Sequence, residues 1–296
     1  MTILYHSRDL DGWCSAAIVQ KWFYEQDRQD PETLQLIGWD YGDPIPIIEK
    51  GEPVVVVDIS FEAEVMSQLN NTNNLIWIDH HISAIRDMEA HTIHPKGKRD
   101  ANFAACELAW TYFFEDPMPE FVRLLGRYDC LAYKDMEEAQ QILEFQYAAR
   151  AYFKNPEDCF HMLQQHPDAS IKTIPELFKL GKGIYNYLCT EAALDYKNRF
   201  TIDFDGYTFA AFNKKRFNPI HFGIAYHNDT TDDGYYYDGV CSFWLHNGKW
   251  NFSLYNDNGL VDCSEICKKR GGGGHAEAAG FQLDIHEIAA LIKKTL

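Results

Sequence analysis

The chain has 296 residues, of which 46% are hydrophobic and 15% aromatic, a composition typical of a globular protein large enough for two domains. Its 27 Lys and Arg residues against 44 Asp and Glu residues give a net charge of 27 − 44 = −17, which disfavours binding to long nucleic acids and anionic membranes. No apolar run reaches the roughly 18 to 20 residues of a membrane helix, and the N-terminus lacks a signal-peptide pattern. The eight cysteines are scattered and include no C-x-x-C pair. We therefore expect a cytoplasmic protein with free thiols and no membrane partner.

The first part of the chain alternates buried strands with helices. TILY (residues 2–5) predicts a first strand, and the apolar residues of CSAAIVQKWFYEQ after it recur at helical spacing. Further strands are predicted at LQLIGWDYG, at VVVV (54–57) and at LIWI (75–78). Such alternation is typical of a parallel, doubly wound sheet, so the predicted fold class is α/β.

The pattern changes twice beyond residue 100. Asp100 is placed to cap a helix through FAACELAWTYFF, and IPELFKLGKGIYNYLCTEAALDYKNRF predicts one long helix. From residue 201, short alternating strands predict a smaller mixed α/β domain, with residues 246–249 (HNGK) as a hairpin turn. We therefore expect a domain of residues 1–172, a helical connector of residues 173–200 and a second domain of residues 201–296.

Acidic and histidine side chains follow three of the predicted strands. They are His6, Asp9 and Asp11 after the first strand, Asp58 after VVVV, and Asp79, His80 and His81 after LIWI, with Asp129 in GRYD as a fourth group. The carboxyl ends of parallel strands open on one edge of the sheet, where α/β proteins bind their ligands. A single Asp there usually caps a turn or helix, but this combination predicts a carboxylate cluster that needs cations to offset its repulsion.

The chemistry of these side chains favours particular ions. Mixed carboxylate and imidazole ligands suit Mn²⁺, Mg²⁺ or Fe²⁺ better than zinc. Two ions about 3.5 to 4 Å apart are suited to the hydrolysis of phosphate esters. Asp58, on the middle loop, is the natural bridge between them.

A glycine-rich stretch, GGGGHAEAAG, occupies residues 271–280. Successive glycines let backbone N–H groups approach an anion, and the KKR run (268–270) before them adds positive charge. A flexible linker is the alternative, but linkers rarely lead directly into a histidine, an Ala-rich helical segment and a final strand such as FQLDI. We therefore expect a phosphate-binding loop here.

The order and spacing of DLDG, VVVVD, IDHH and GRYD in the first 130 residues, with GGGGHAEAAG near the end, resemble the DHH family of phosphoesterases carrying the DHH-associated C-terminal domain. The resemblance spans nearly the whole chain and is closest to the oligoribonuclease-like (nanoRNase) branch, whose members trim very short RNAs. Type II pyrophosphatases share the first domain but lack the glycine-rich motif. The resemblance implies that residues 1–172 form a metal-binding catalytic domain and residues 201–296 a substrate-binding domain.

The resemblance also implies roles for individual residues. One manganese ion would be held by His6, Asp9 and Asp58, and a second by Asp11, Asp58, His80 and Asp129, with Mg²⁺ or Fe²⁺ as alternatives. The catalytic group would comprise Asp58, Asp79, His80 and His81, with His81 facing the substrate phosphate and Asp79 orienting its neighbours. Gly272, Gly273, Gly274 and His275 would hold the phosphate or the terminal nucleotide.

The sequence departs from the family pattern at two places. Ser7 and Arg8 alone separate His6 from Asp9, where many relatives have three intervening residues. A stretch of Ser-Leu-Tyr (253–255) stands where relatives often have S-x-R, so the groups expected to help hold substrate are Tyr255, Arg127 and Arg270.

These implications predict a metal-dependent phosphodiesterase that hydrolyses short RNA or DNA oligonucleotides, or cyclic dinucleotides, to nucleoside monophosphates with a hydroxide bridging two metal ions. Long strands and duplexes are not expected substrates, because they need an extended electropositive groove. The alternatives are a phosphatase acting on 3′-phosphoadenosine 5′-phosphate and a catalytically silent nucleotide sensor, although a sensor gains nothing from four repelling carboxylates. The sequence leaves open whether the chain forms a homodimer.

Overall fold

The computed structural model describes residues 1–26, 30–130, 132–164, 172–215, 221, 230–231, 234–256 and 259–287. The chain divides into two compact units, Met1–Tyr185 and Asn186–Leu296. The strands and helices of the first unit are β1 Thr2–His6, α1 Leu10–Glu25, β2 Gln35–Trp39, β3 Pro53–Val57, α2 Ala63–Thr72, β4 Asn74–Ile78, α3 Ile82–Ala90, α4 Ala105–Phe113, α5 Glu120–Asp129, α6 Met136–Tyr152 and α7 Pro156–Gln164. Helix α8, Ile174–Tyr196, runs from the first unit into the second, which contains β5 Phe200–Phe204, β6 Tyr207–Asn213, β7 Gly239–His246, β8 Lys249–Tyr255, α9 Cys263–Lys268, β9 Gly273–Gly274 and β10 Ala278–Asp284.

The sheet of the first unit is parallel, with strand order β2-β1-β3-β4, and it confirms the predicted α/β fold class. The valines of β3 alternate between its two faces. Val55 and Val57 pack on the side of helices α1 and α4–α7, whereas Val54 and Val56 pack on the side of α2 and α3. Because both faces are covered, the strand is apolar at every position, and this is why it reads as a continuous valine run.

The chain order of these strands reverses its direction across the sheet at β1. From β1 the chain passes to β2 on one side, and β3 then pairs on the other side of β1. The loops that leave β1 and β3 therefore lead to helices on opposite faces of the sheet, α1 and α2, and the carboxyl ends of these two strands form a topological switch point. Ligands of open α/β sheets bind at such a point, and His6 and Asp58 lie beside it.

The second unit has a six-stranded mixed sheet of order β5-β6-β7-β8-β10-β9, in which only the β6–β7 pair is parallel among the described strands. Its hairpins close through turns with positive φ angles, at Asp205-Gly206 (56° and 90°) and at Asn247-Gly248 (49° and 76°). Two consecutive residues of positive φ match the twist of the flanking strands. The hairpin predicted at residues 246–249 is thereby confirmed.

Helix α8, with 23 residues, confirms the long helix predicted from residue 174 onward. Neither it nor any other described helix is both long and apolar enough to cross a membrane. Cys189 on this helix, like the other seven cysteines, is a free thiol, as expected.

Two local predictions are wrong. The Ala-rich segment after His275 is not helical, because β10 begins at Ala278 and pairs with β8 along its whole length. These interstrand contacts outweigh the helix propensity of alanine. Asp100 does not cap α4, since its carboxylate accepts from the Asn102 N–H and the helix begins only at Ala105.

Candidate metal centre

The carboxylates and histidines that follow the strands of the first unit lie together at the carboxyl edge of its sheet. His6 ends β1, Asp58 follows β3, and His80 stands two residues beyond β4. Asp129, the last residue of α5, reaches the same place from a helix. The full set of residues brought together is His6, Asp9, Asp11, Asp58, Asp79, His80, His81 and Asp129.

The DLDG stretch forms a tight turn from β1 into α1. The Asp9 carboxylate caps the helix by accepting from the Gly12 N–H at 2.9 Å. A Cβ atom at Gly12 would lie 2.1 Å from the His6 carbonyl oxygen, so only glycine allows the helix to start this close to the strand. The turn therefore puts Asp9 at the N-cap of α1, beside His6, and Asp11 within the first turn of the helix.

Asp11 is held by the beginning of another helix. Its two carboxylate oxygens accept from the Ala105 and Cys106 N–H groups of α4, at 2.9 and 2.8 Å. Burial, followed by repulsion from Asp58 and Asp129, nevertheless raises the pKa of Asp11 well above its ordinary value. The amides at the helix N-terminus favour the ionised carboxylate and offset part of this penalty.

Asp58 offers one carboxylate oxygen to each of two donor sets. In the first set, His6 Nδ1 lies 2.8 Å from Asp9 Oδ2 and 3.5 Å from Asp58 Oδ2. In the second set, His80 Nε2 lies 3.3 Å from Asp58 Oδ1, 3.2 Å from Asp129 Oδ2 and 3.6 Å from Asp11 Oδ2. These are the two groups that the family resemblance implies for a pair of metal ions.

The chemistry of these atoms fits divalent cations. Asp58 Oδ1, Asp58 Oδ2, His6 Nδ1 and His80 Nε2 are buried, and although these nitrogens lie close to carboxylate oxygens, none of the four atoms makes a hydrogen bond of good geometry among the described residues. Buried polar atoms normally have a partner, and a cation lying between them would supply it. Asp58 also has a φ angle of 60°, which is uncommon for a residue other than glycine although Asp tolerates it better than most.

The histidines respond to the surrounding negative charge. Burial alone lowers the pKa of His6, but the carboxylates of Asp58 and Asp9 more than offset this effect and raise it to about 11. The pKa of His80 is likewise raised, by Asp129 and Asp58, against the effect of burial. Without metal, protonated imidazoles would therefore neutralise part of the cluster, and cations that bind there would displace those protons.

Asp79 holds His81 in place. Its Oδ1 atom lies 2.7 Å from His81 Nδ1 and accepts from the backbone N–H groups of His80 and His81, while Oδ2 accepts from Trp77 Nε1 at 3.2 Å. The side chain of Asp79 is fully buried. The Asp79 carboxylate raises the pKa of His81 against the effect of burial, so the imidazolium form is favoured.

Sequence reasoning missed two residues that contact the histidines of the cluster. Cys130 Sγ lies 3.8 Å from His80 Nδ1, and Asp40 Oδ1 lies 3.4 Å from His6 Nε2. Asp40 was identifiable, because it follows the apolar residues within the predicted segment LQLIGWDYG and so lies at the same edge of the sheet as His6. Cys130 directly follows Asp129 of the GRYD stretch, but no sequence pattern marks its thiol as a contact of His80.

Arg127, predicted to hold substrate, is engaged within the first unit. Its Nη2 atom lies 2.9 Å from Glu107 Oε1, and its guanidinium carbon lies 5.5 Å from the centre of the Phe103 ring. With Lys98 and Arg123 it lines a cavity of about 270 Å³. Its role towards substrate stays a prediction.

The glycine-rich stretch forms an edge of the sheet in the second unit. Gly273 and Gly274 pair with Gly280 and Ala279 of β10. A Cβ atom at Gly272 would lie 2.0 Å from the Gly280 carbonyl oxygen, and Gly274 has a φ angle of 139°, so this local backbone requires glycine at both positions. His275 follows with an exposed side chain, and no observation assigns it a ligand.

Arg270 and Tyr255 are the other two residues of the second unit that the sequence predicted to hold substrate. Arg270 forms an ion pair with Asp205 at 2.8 Å, and its guanidinium lies over the rings of Phe204 and Phe281. Tyr255 ends β8 and is half-buried. The contacts of Arg270 are those of a group that stabilises the unit, and a role in substrate binding stays a prediction for both residues.

Comparisons with known proteins agree with this fold. Among curated proteins, an uncharacterized protein of Acanthamoeba polyphaga mimivirus is 23% identical over 309 residues, a match that covers 94% of this chain and 66% of the relative. The chain thus spans just under two thirds of the length of that relative.

Among solved structures, the pGpG-specific phosphodiesterase PggH from Vibrio cholerae is similar with a TM-score of 0.55 and 14% identity, over 99% of this chain and 96% of that one. The DHH domain of a member of the S1p family of ribosomal proteins has the same TM-score, 0.55, and 14% identity, over 99% of this chain and 85% of that one. At such identities the likeness is one of fold.

A sequence profile described as the DHH family, N-terminal domain, matches residues 1–148, which is half of the chain and includes every member of the cluster. The matched region contains all four strands of the parallel sheet. The chain therefore belongs to the DHH family, whose members are phosphoesterases.

Proposed function

We propose that this protein is a metal-dependent phosphodiesterase that hydrolyses short oligonucleotides, or linear and cyclic dinucleotides, to nucleoside monophosphates. The observation that carries the proposal is the position of Asp58, whose two carboxylate oxygens face two separate donor sets. A shared carboxylate between two sets of oxygen and imidazole donors is the arrangement of paired-metal phosphoesterases. Mn²⁺ is the ion that we expect to occupy both positions, because such donors suit it better than they suit zinc.

The first ion would be held by His6, Asp9 and Asp58, and the second by Asp11, Asp58, His80 and Asp129. When bound, two divalent ions would supply Lewis acidity, which lowers the pKa of water and offsets negative charge on a phosphoryl oxygen. Hydrolysis requires that water attack the phosphorus atom, that the bond from phosphorus to the ribose oxygen break, and that this leaving oxygen receive a proton.

His81 is the residue of the cluster best suited to donate towards the phosphate. Its Nδ1 is fixed by Asp79, which leaves Nε2 as the ring nitrogen directed away from that carboxylate. Asp79 raises the pKa of His81 against the effect of burial and so favours the imidazolium form, in which Nε2 carries a proton and could donate to a phosphate oxygen as charge develops there. Its side chain is 32% exposed, so a ligand can reach it.

Two further observations favour a small diester as the substrate. The net charge of −17 opposes the binding of long polyanions, whose affinity depends on many basic contacts. The similarity of fold to a phosphodiesterase that is named for pGpG is compatible with a dinucleotide substrate. A substrate-binding role for the second unit, through residues 272–275, Tyr255 and Arg270, is part of the proposal.

Product analysis tests the proposal. Purified protein would be stripped of metal with a chelator, reloaded with Mn²⁺, Mg²⁺ or Fe²⁺, and incubated with end-labelled dinucleotide, five-mer, long single strand, cyclic dinucleotide and 3′-phosphoadenosine 5′-phosphate. We expect nucleoside monophosphates from the short diesters with Mn²⁺, slower turnover of the long strand, and none in the chelated control. Hydrolysis of the bisphosphate alone would indicate a monoesterase, and nucleotide binding without any turnover would indicate a sensor; either result contradicts the proposal.

A further inference from the structure

His6 and His80 each present one ring nitrogen to a donor set, and all three histidines of the cluster have a ring nitrogen close to a further neighbouring group. For His81 that group is Asp79, at 2.7 Å, and for His80 it is the Cys130 thiol, at 3.8 Å. For His6, whose Nδ1 faces Asp9 and Asp58, the neighbouring group is Asp40, 3.4 Å from Nε2. Asp40 lies outside all of the sequence motifs that define the cluster.

The sheet itself places Asp40 beside His6. Strands β1 and β2 pair in parallel with His6 opposite Trp39, and the Ser7 N–H donates to the Trp39 carbonyl oxygen. Asp40 is the next residue along, so its side chain leaves the carboxyl edge beside that of His6.

The Asp40 carboxylate is itself fixed in position. Oδ2 accepts from Arg8 Nε at 2.5 Å, and Oδ1 accepts from the Tyr41 N–H at 2.9 Å. The Asp40 N–H donates to Asp43 Oδ2, which closes the turn. Arg8 is one of the two residues in the shortened spacing between His6 and Asp9, so this short loop supplies the cation that fixes Asp40.

We infer that Asp40 is a positioning residue of the first metal site: it holds His6 with Nε2–H directed at its carboxylate and the Nδ1 lone pair directed at the ion shared with Asp9 and Asp58. A histidine can ligate a metal through only one nitrogen while the other carries the proton, and a carboxylate acceptor for that proton fixes the tautomer and the ring orientation. The inference rests on the proposed function, because it assigns the support of one of the two proposed ions. It also gives the shortened loop a role, since Ser7 and Arg8 keep His6 in register with Asp40.

A direct ligand role for Asp40 fits the structure less well. Both of its oxygens are already engaged, by Arg8 and by the Tyr41 amide, and it belongs to none of the donor groups found among the described residues. The inference therefore concerns the orientation of His6.

The test is Mn²⁺ titration by calorimetry of metal-free wild type, Asp40→Ala and Asp40→Asn, with Asp87→Ala as a matched control. Asp87 is also a carboxylate 3.4 Å from a histidine nitrogen, that of His91, but this pair is exposed on α3. Loss of a group that supports a metal-bound histidine typically weakens the metal by about 10- to 100-fold. We expect Asp40→Ala to weaken one Mn²⁺ site by this factor and to leave the other unchanged, Asp40→Asn to lose less because its amide oxygen can still accept from Nε2–H, and Asp87→Ala to bind like wild type.

A double variant separates this role from a structural one. In a His6→Ala background, Asp40→Ala should cause no additional loss of Mn²⁺ affinity, because its effect passes through the imidazole. Unchanged affinities in Asp40→Ala, or an equal weakening of both sites, would overturn the inference while leaving the proposed function intact if wild type binds two ions and turns over. A wild-type protein that binds no metal would overturn both.

Discussion

Asp58 combines an uncommon backbone conformation with a carboxylate that faces both donor sets, one oxygen towards each. Its φ angle of 60° lies in the left-handed region, where Asp and Asn are tolerated better than other residues with a side chain. The Asp58 N–H donates to the Ile78 carbonyl oxygen at 3.0 Å, which ties the turn to the end of β4. This conformation directs the carboxylate between His6 and His80, and so the local strain has a functional reason.

Asp58→Asn should weaken both Mn²⁺ sites, because a shared ligand cannot be lost from one ion alone. Asparagine tolerates the left-handed backbone, so the change tests the charge and not the fold. We expect turnover of a dinucleotide to fall by about a thousandfold, or roughly 4 kcal/mol, and calorimetry to show two weakened sites. Asp129→Asn, which alters only the second donor set, is the matched control and should weaken one site. One site of wild-type strength in Asp58→Asn would contradict the shared role.

Asp79→Asn should change the pH dependence of the reaction rather than the binding of metal. The Asp79 carboxylate is the main group that raises the pKa of His81 against the effect of burial, so its neutralisation should lower that pKa. If protonated His81 donates to the phosphate, the fall of kcat/KM on the alkaline side should begin at a lower pH than in wild type. Mn²⁺ stoichiometry should remain at two. An alkaline limb at the wild-type position would show that His81 is not the titrating donor.

At the scale of elements, the confirmed predictions rest on patterns within one continuous stretch of sequence. Strand β3 is a run of valines because both faces are covered, and Asn247-Gly248 predicted its hairpin because few residues accept two positive φ angles. Asp58, His80 and His81 were placed together because parallel strands end at one edge.

What the sequence did not predict depends on contacts between segments distant in the chain. The alanines at the start of β10 were predicted to be helical because alanine favours a helix locally, whereas the strand predicted at FQLDI is confirmed; the pairing with β8 extends that strand back to Ala278. The first amides of α4 are bound by Asp11, 94 residues earlier, and no pattern near Asp100 reveals that partner. The contact of Asp40 with His6 depends likewise on the order in which β1 and β2 pair.

The hairpin of β5 and β6 offers a test of the electrostatics of the second unit. Its turn residue Asp205 accepts from Arg270 at 2.8 Å, and this hydrogen bond is the main cause that lowers the pKa of Asp205 from 3.8 to about 2. A depressed carboxylate pKa stabilises the fold above the unfolded value of 3.8, and this contribution is lost as the pH falls towards 2. Because the pair is largely exposed to solvent, we expect it to contribute only about 1 kcal/mol.

Asp205→Asn should therefore lower the local stability of this hairpin by about 1 kcal/mol at pH 7, while asparagine retains tolerance of the φ angle of 56°. Native-state hydrogen exchange of β5 and β6 in the full chain would measure the difference from wild type. The difference should be the same at pH 7 and pH 5 and should shrink below pH 4. Asp203→Asn is the control. The Asp203 carboxylate accepts from the Thr208 hydroxyl and not from Arg270, so the effect of its replacement should show no such dependence on pH. A difference that persists undiminished at low pH would exclude the ion pair as its cause.

For the whole molecule, the distribution of donors predicts a division of labour. Every member of the metal cluster lies in the first unit, within residues 6 to 129. The glycine-rich stretch and His275 lie in the second unit, and within that unit the glycines already have a structural reason. His275 has none, since its exposed side chain is not required by the pairing of β9 with β10. A substrate role in the second unit is therefore tested most directly at His275.

His275→Ala should impair hydrolysis of nucleotide substrates and leave Mn²⁺ binding unchanged, because the donor groups found among the described residues all lie in the first unit. Loss of one hydrogen bond to a charged substrate should cost about 2 to 4 kcal/mol, or roughly thirty- to a thousandfold in kcat/KM. A fall in kcat would indicate that the contact strengthens in the transition state, whereas a rise in KM would indicate that it anchors the ground state.

Bis-p-nitrophenyl phosphate carries no nucleoside for the second unit to bind, so its hydrolysis should suffer less. His246→Ala, another exposed histidine of the same unit, is the matched control and should behave like wild type. An equal loss on the dinucleotide and on the activated ester would exclude a substrate-holding role for His275.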